Sequence, residues 1–145
     1  MADPISIGAS LLAFIGLADR IIRVSVYCID TLQDAPGDIR MIHNEVLSLR
    51  AIVDTFADPG QSSSDGAISI LFDKGGPIEA CRRSLSGLEA LLPVGADDAS
   101  ASSLRRRMTL AELSWPLKQS KARKLLAEIS QHKSTMLLAM SGDIV

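Results

Sequence analysis

An apolar stretch without charge opens the chain, and few folds can accommodate it. The sequence PISIGASLLAFIGLA, from Pro4 to Ala18, contains no charged residue, and the apolar pattern continues past Asp19 to Ile29. As a helix the uncharged residues rise about 22 Å, which is short of the roughly 30 Å hydrocarbon core of a bilayer. The preceding Met1-Ala2-Asp3 is acidic, whereas a secretory signal begins with basic residues. We therefore expect a helix that its neighbours shelter, and neither a signal peptide nor a permanent membrane span.

The composition predicts a single all-α domain over residues 1–145. Hydrophobic residues make up 47% of the chain and aromatic residues 3%. The first value excludes a disordered chain, and the second disfavours an all-β domain. No segment alternates as a strand would, so we expect an antiparallel four- to five-helix bundle with a long N-terminal helix.

The first two helices are predicted from caps and apolar spacing. Asp3-Pro4 begins a helix that runs to about Leu32, and Asp38 is a candidate cap of the second. Small residues recur every three or four positions in the first helix and predict the close approach of another backbone, either in a bundle or in lipid. They are Ser6, Ala9, Ala13 and Gly16. The apolar seam of the second helix is Ile39, Ile42, Val46, Leu49, Val53 and Phe56.

The second half of the chain contains two strong helix patterns and one weaker one. Pro77 begins a third helix, whose seam is Ile78, Cys81, Leu85, Leu88 and Leu92. A short basic helix is predicted from Leu104 to Leu113, and a separate last helix begins near Pro116, with Ser114 as its candidate cap. Loops are expected at residues 58–66 and 93–100, and a helical turn at 67–72.

The charges are unevenly distributed along the chain. Residues 1–103 contain 14 acidic and 7 basic side chains, whereas residues 104–145 contain 3 and 8, and the net charge is −2. This balance argues against nucleic-acid binding. The basic cluster either pairs with the acidic remainder as a solvated face or binds anionic lipid headgroups or an acidic partner. Its members are Arg105, Arg106, Arg107, Lys118, Lys121, Arg123 and Lys124.

The sequence offers no motif for catalysis or for a cofactor. No phosphate-binding loop or dinucleotide fingerprint is present. Cys28, His43, Cys81 and His132 are far apart and fall on different predicted helices, so we expect no metal site. Both cysteines fit buried free thiols in a reducing, cytoplasmic setting. We therefore predict a non-enzyme without cofactor or small-molecule substrate, although a deep pocket that holds His43 or His132 beside a carboxylate would favour a small enzyme.

Two blocks of the sequence resemble one protein family. The opening MADPISIGASLLAFIGLADRI is similar to the start of the fungal N-terminal domain found on STAND-type (NLR-like) immune receptors and ankyrin-repeat proteins, the HeLo-like group. The later LSWPLKQSKARKLLAEISQHKSTMLLAMSGD resembles that family's second hallmark, in which Trp-Pro-Leu-Lys leads into a helix that ends near His-Lys-Ser-Thr. The resemblance extends over nearly the whole chain.

The resemblance implies a function as well as a fold. Related HeLo-type domains act in fungal programmed cell death and heterokaryon incompatibility, where the apolar first helix is thought to enter the plasma membrane after oligomerisation. By position, the inserting residues here would be Ile5, Ile7, Leu11, Leu12, Phe14, Ile15 and Leu17. Trp115-Pro116 would be structural. The family also includes a protein encoded in azaphilone pigment gene clusters, so the alternative is an accessory interaction protein of such a secondary-metabolite cluster.

Overall fold

Residues 4–31, 37–57, 76–92 and 101–141, which the computed structural model describes, form four α-helices and no strand. The helices are α1 (Pro4–Thr31), α2 (Gly37–Ala57), α3 (Pro77–Leu91) and α4 (Ala101–Ser141). The predicted all-α helical bundle is therefore confirmed. The Asp3 cap, the turn before α2 and the predicted features at 58–72 and 93–100 lie outside the described residues.

Each of the four helices packs against two others. α1 contacts α2 and α3, and α4 contacts the same two helices from the opposite side. Pairs of facing residues show that α1 and α2 run antiparallel, that α3 and α4 run antiparallel, and that α2 and α4 run parallel. The facing pairs are Asp19–Arg50 and Asp30–Arg40, then Ser84–Glu128 and Leu91–Lys118, then Asp38–Arg123 and Glu45–Lys133.

The apolar seams predicted for α2 and α3 form the core. Because residues at three- and four-residue spacing share one face of a helix, each seam points to the bundle interior. The buried members are Ile39, Ile42, Val46, Leu49 and Val53 on α2, and Ile78, Cys81, Leu85, Leu88 and Leu92 at α3. The side chain of Phe56 lies outside the described set. On α4 the core residues include Leu126, Ile129 and Met136.

The described side chains of helix α1 are buried on one face only, although its first half contains no charged residue on any face. Phe14 and Leu17 are almost fully buried, whereas Leu12 is 74% exposed. Ala9 and Ala13 are exposed, and no atom of a neighbouring helix lies within 4 Å of the place where a Cβ on Gly16 would be. Within the bundle, no neighbouring backbone therefore approaches α1 closely at Ala9, Ala13 or Gly16. The alternative, a close approach in lipid, stays a prediction. A four-helix bundle covers one stripe of each helix, and Ala9 and Ala13 lie on the other side.

Helix α4 continues through Pro116, where two separate helices were expected. Its 41 residues run without a break from Ala101 to Ser141. Proline lacks the N–H that would bond to the carbonyl of Glu112, so this turn is weakened locally. Trp115, immediately before the proline, is buried and bonded to α2. We infer that this tertiary contact holds the backbone helical where the local sequence alone favours a break. The side chain of Ser114, the predicted cap, lies outside the described set.

Helices α3 and α4 approach closely at Gly87. A Cβ at this position would lie 3.1 Å from Cδ1 of Leu125. That distance is shorter than ordinary van der Waals contact, so a larger side chain would push Leu125 outward. The glycine in the middle of α3 therefore serves helix packing, which offsets its low helix propensity.

The one-sided burial of α1 predicts different costs for two leucines of the same helix. Leu17→Ala should lower the free energy of unfolding by about 2–5 kcal/mol, because it removes buried methyl groups and leaves a cavity. Leu12→Ala, the matched control, should change it by less than about 0.5 kcal/mol. Urea denaturation followed by circular dichroism measures both. Equal losses in the two variants would contradict the described placement of α1.

Candidate functional site

The most elaborate polar site in the described residues is a buried carboxylate at the start of α2. Asp38 is 5% exposed and receives three hydrogen bonds from α4. Trp115 Nε1 and Gln119 Nε2 donate to Oδ2 over 3.2 and 2.8 Å, and Arg123 Nε donates to Oδ1 over 3.3 Å. Asp38 was predicted to cap the second helix. Its side chain instead makes a tertiary contact that connects α2 to α4.

The pKa of Asp38 reflects two opposing effects. Burial raises it, because a charged carboxylate loses solvation. The hydrogen bonds from Trp115, Gln119 and Arg123, together with the positive charge of Arg123, outweigh burial, so the pKa lies below its usual value. Asp38 is therefore ionised at neutral pH and holds its three donors as charge-assisted hydrogen bonds.

This junction gives a structural role to three residues in the segment LSWPLKQSKAR, with which the second hallmark block begins. Trp115, Gln119 and Arg123 follow one another at four-residue spacing, which brings them to one face of α4. All three donate to the same carboxylate. Sequence reasoning singled out Trp115-Pro116 but did not find its partner. The available signal was the four-residue spacing of three donors, combined with one acid near the start of another helix.

The described members of the predicted basic cluster do not converge on one point. Lys118 Nζ donates to the carbonyl of Leu91 at the end of α3, over 3.3 Å, whereas Arg123 turns to Asp38 of α2. Lys121 and Lys124 are exposed between these two flanks of α4. The backbone of Arg105, Arg106 and Arg107 belongs to α4, but their side chains lie outside the described set. Two of the four described bases thus help to hold the bundle together.

The predicted membrane-inserting residues divide between the two faces of α1. Leu11, Phe14 and Leu17 are buried, Ile15 is half-buried and Leu12 is exposed. The side chains of Ile5 and Ile7 are outside the described set. No helix in the described part of the chain is long and apolar enough to cross a membrane.

Two ion pairs hold α1 immediately after its uncharged half. Asp19 accepts a hydrogen bond from Arg50 of α2, and Arg20 Nε donates to Glu89 of α3 over 2.9 Å. All four side chains are partly exposed, so each pair contributes little on its own, typically about 0–1 kcal/mol. Their position matters more, because they fix the middle of α1 against both of its neighbours.

The two histidines line separate depressions, and each is beside a carboxylate. His132 shares a depression of about 350 Å³ with Glu128, Ser84 and Arg83, where the Ser84 hydroxyl donates to Glu128 over 2.9 Å. Burial lowers the pKa of His132, against the smaller raising effect of Glu128. Both depressions are open to solvent, so neither is the deep pocket that would favour a small enzyme. The predicted absence of enzyme activity stays a prediction.

Both cysteines are free and buried, as predicted. Burial raises the pKa of Cys28 to about 11 and that of Cys81 to about 12. Both thiols are therefore protonated at neutral pH and chemically inert, since the thiolate is the reactive form. Within the described ranges, no three His, Cys, Asp or Glu side chains are grouped so that they could hold a metal ion.

A comparison of the chain with protein-family models, with curated proteins and with solved structures finds no match. The resemblance to the HeLo-like group therefore depends on the two sequence blocks alone.

The Asp38 junction predicts a pH-dependent loss of stability. Asp38→Asn should lower the free energy of unfolding by about 1–3 kcal/mol at neutral pH, because the charge-assisted bonds are lost. The pKa of Asp38 is lower in the folded state than in the unfolded state, where it is about 3.9. Its contribution is thus complete above that value and is lost as the pH falls through the folded pKa. The difference between the wild type and the variant should be constant near neutral pH and shrink below about pH 4, as measured by urea denaturation.

Glu79→Gln is the matched control for this experiment. Glu79 also has a lowered pKa, caused first by its hydrogen bond from Arg82, but this pair lies on the partly exposed surface of one helix. The substitution should cost less than about 0.5 kcal/mol. A larger loss in Glu79→Gln than in Asp38→Asn would contradict the special role of the junction.

Proposed function

We propose that this chain is a non-enzymatic signalling or effector domain of the HeLo-like type that acts at a membrane surface through the first half of α1. The observation that supports this proposal is the excess of apolar surface on α1. The bundle uses the stripe that contains Phe14 and Leu17, yet the opposite side of the same segment is also free of charge and includes the exposed Leu12. Besides the exposed Ser10 this side has no polar residue among the described side chains. A helix that only had to fold in the bundle would carry charged residues there, as α1 does after Ala18.

The energetics favour a two-step encounter. The outer face of α1, formed by Ala9, Leu12, Ala13 and Gly16, is available without any rearrangement of the described helices. Full release of the segment also exposes its inner residues, at about 1.5–3 kcal/mol for each large apolar side chain. Such a cost is a large part of the roughly 5–15 kcal/mol that stabilises a typical domain. Clustering or lipid contact must therefore offset it, which fits a domain that is latent when dispersed.

The basic residues on α4 supply an attraction to anionic headgroups in this proposal. Lys121 and Lys124 are exposed, and Leu117 beside them is 88% exposed. Each base near an anionic surface contributes about 1 kcal/mol, and salt screens the attraction. With Arg105, Arg106 and Arg107 on the same helix, this face is suited to a peripheral contact at the cytoplasmic leaflet of the plasma membrane.

The headgroup contact is tested by vesicle co-sedimentation. The wild type should bind vesicles that contain phosphatidylserine more tightly than vesicles of phosphatidylcholine alone. Lys121→Gln combined with Lys124→Gln should weaken this binding by about tenfold or more, at about 1 kcal/mol for each base. Arg40→Gln, which removes an exposed base on α2, is the control and should bind like the wild type. Equal binding to both vesicle types would contradict the electrostatic step.

The apolar step is tested by dye leakage from the same vesicles. The protein clustered on a multivalent scaffold should release dye, whereas the dispersed protein should not. Leu12→Glu should suppress leakage, because it places a charge in the outer face of α1. Leu47→Glu changes a half-exposed leucine of α2 and should leave leakage unchanged. Absence of both binding and leakage in the clustered wild type would remove the membrane role and leave binding to a protein partner as the function to pursue.

A further inference from the structure

A depression separate from both proposed membrane-contacting surfaces lies where the end of α1 meets the start of α2. Its volume is about 330 Å³, which falls within the range of small-molecule sites. Three polar or charged side chains from α2 and one from α1 surround it, together with two apolar side chains from α1. The lining residues are Val26, Ile29, Asp30, Arg40, His43 and Asn44.

The imidazole of His43 is the unusual group in this depression. Its Nδ1 is buried and has no hydrogen-bond partner among the described residues. A buried polar atom without a partner costs about 1–3 kcal/mol, so such atoms call for an explanation. No hydrogen bond to Nδ1 opposes a turn of the ring about its Cβ–Cγ bond. Such a turn toward the depression would let Nδ1 gain a partner from a group that enters it.

The two charged residues of the depression also have no ion-pair partner among the described residues. Arg40 and Asp30 are exposed, and none of the ion pairs within the described residues includes either of them. The Arg40 guanidinium, in the first turn of α2, favours an anionic group such as a carboxylate. Asp30, on α1, favours an ammonium or another strong donor. Val26 and Ile29 supply apolar surface beside these opposite charges.

We propose that this depression binds a small zwitterion, namely a free α-amino acid with an apolar side chain. Arg40 and a turned His43 bind the carboxylate, and Asp30 binds the ammonium group. The apolar side chain packs on Val26 and Ile29. A simple anion would pair with Arg40 and leave Asp30 without a partner, and a simple cation would do the reverse, whereas a ligand with both charges pairs with both residues.

The experiment uses the full chain labelled with ¹⁵N and titrated with leucine as the probe. Long-range ¹H–¹⁵N spectra follow the ring nitrogens of His43, with those of His132 as the internal control. Leucine should shift the His43 signals to saturation and leave the His132 signals in place. Arg40→Gln and Asp30→Asn should each weaken binding by about tenfold, as expected for the loss of one charge-assisted contact. Arg23→Gln and Asp54→Asn, which remove exposed charges outside the depression, should bind like the wild type.

N-acetylleucine separates a zwitterion site from an anion site. It lacks the ammonium group, so it should bind about tenfold more weakly than leucine to the wild type. Its affinity should not fall further in Asp30→Asn. The proposal is overturned if leucine gives no saturable shift of His43, if N-acetylleucine binds as tightly as leucine, or if the control variants lose as much affinity as the variants of the depression.

Discussion

The described architecture depends on one set of hydrogen bonds that has a fixed geometry. The apolar contacts of the core have no preferred direction. Apolar seams drive the four helices together, but hydrophobic burial tolerates small sliding of one helix along another. The Asp38 carboxylate accepts hydrogen bonds from Trp115, Gln119 and Arg123, and each bond has a required distance and angle. We infer that this junction sets the register of α4 against α2. Because Trp115 is next to Pro116, which weakens the helix locally, we infer that the same junction helps to keep α4 continuous there.

Much of the fold could be predicted from the sequence because it depends on local periodicity. The described members of the predicted seams of α2 and α3, at three- and four-residue spacing, are all buried. What failed depended on contacts between distant residues. The small residues of α1 indicated the close approach of another backbone, in a bundle or in lipid, yet spacing along one helix cannot say which side the neighbouring helices of the bundle occupy. Pro116 indicated a break, yet the buried Trp115 next to it bonds to a residue far away in the sequence.

The candidate sites were less predictable than the fold, because they too depend on contacts between residues that are distant in the sequence. The residues that line the depression near His43 come from two helices, and none of them forms a recognisable motif within either. The basic cluster could be recognised from the sequence. Which of its members hold the bundle together and which are exposed depends on the carbonyl or carboxylate group that each base contacts in the folded chain. Lys118 and Arg123 meet such partners, and Lys121 and Lys124 remain at the surface. The sequence alone contains no such information.

Trp115 is the only tryptophan of the chain, and it lies at the Asp38 junction. Indole emission therefore comes from a single place, and its wavelength depends on whether the ring is buried and hydrogen-bonded. The chain thus contains a natural optical reporter for the docking of α4 on α2. Any rearrangement that separates these two helices should be visible in unlabelled protein as a red shift, in real time and without a foreign dye.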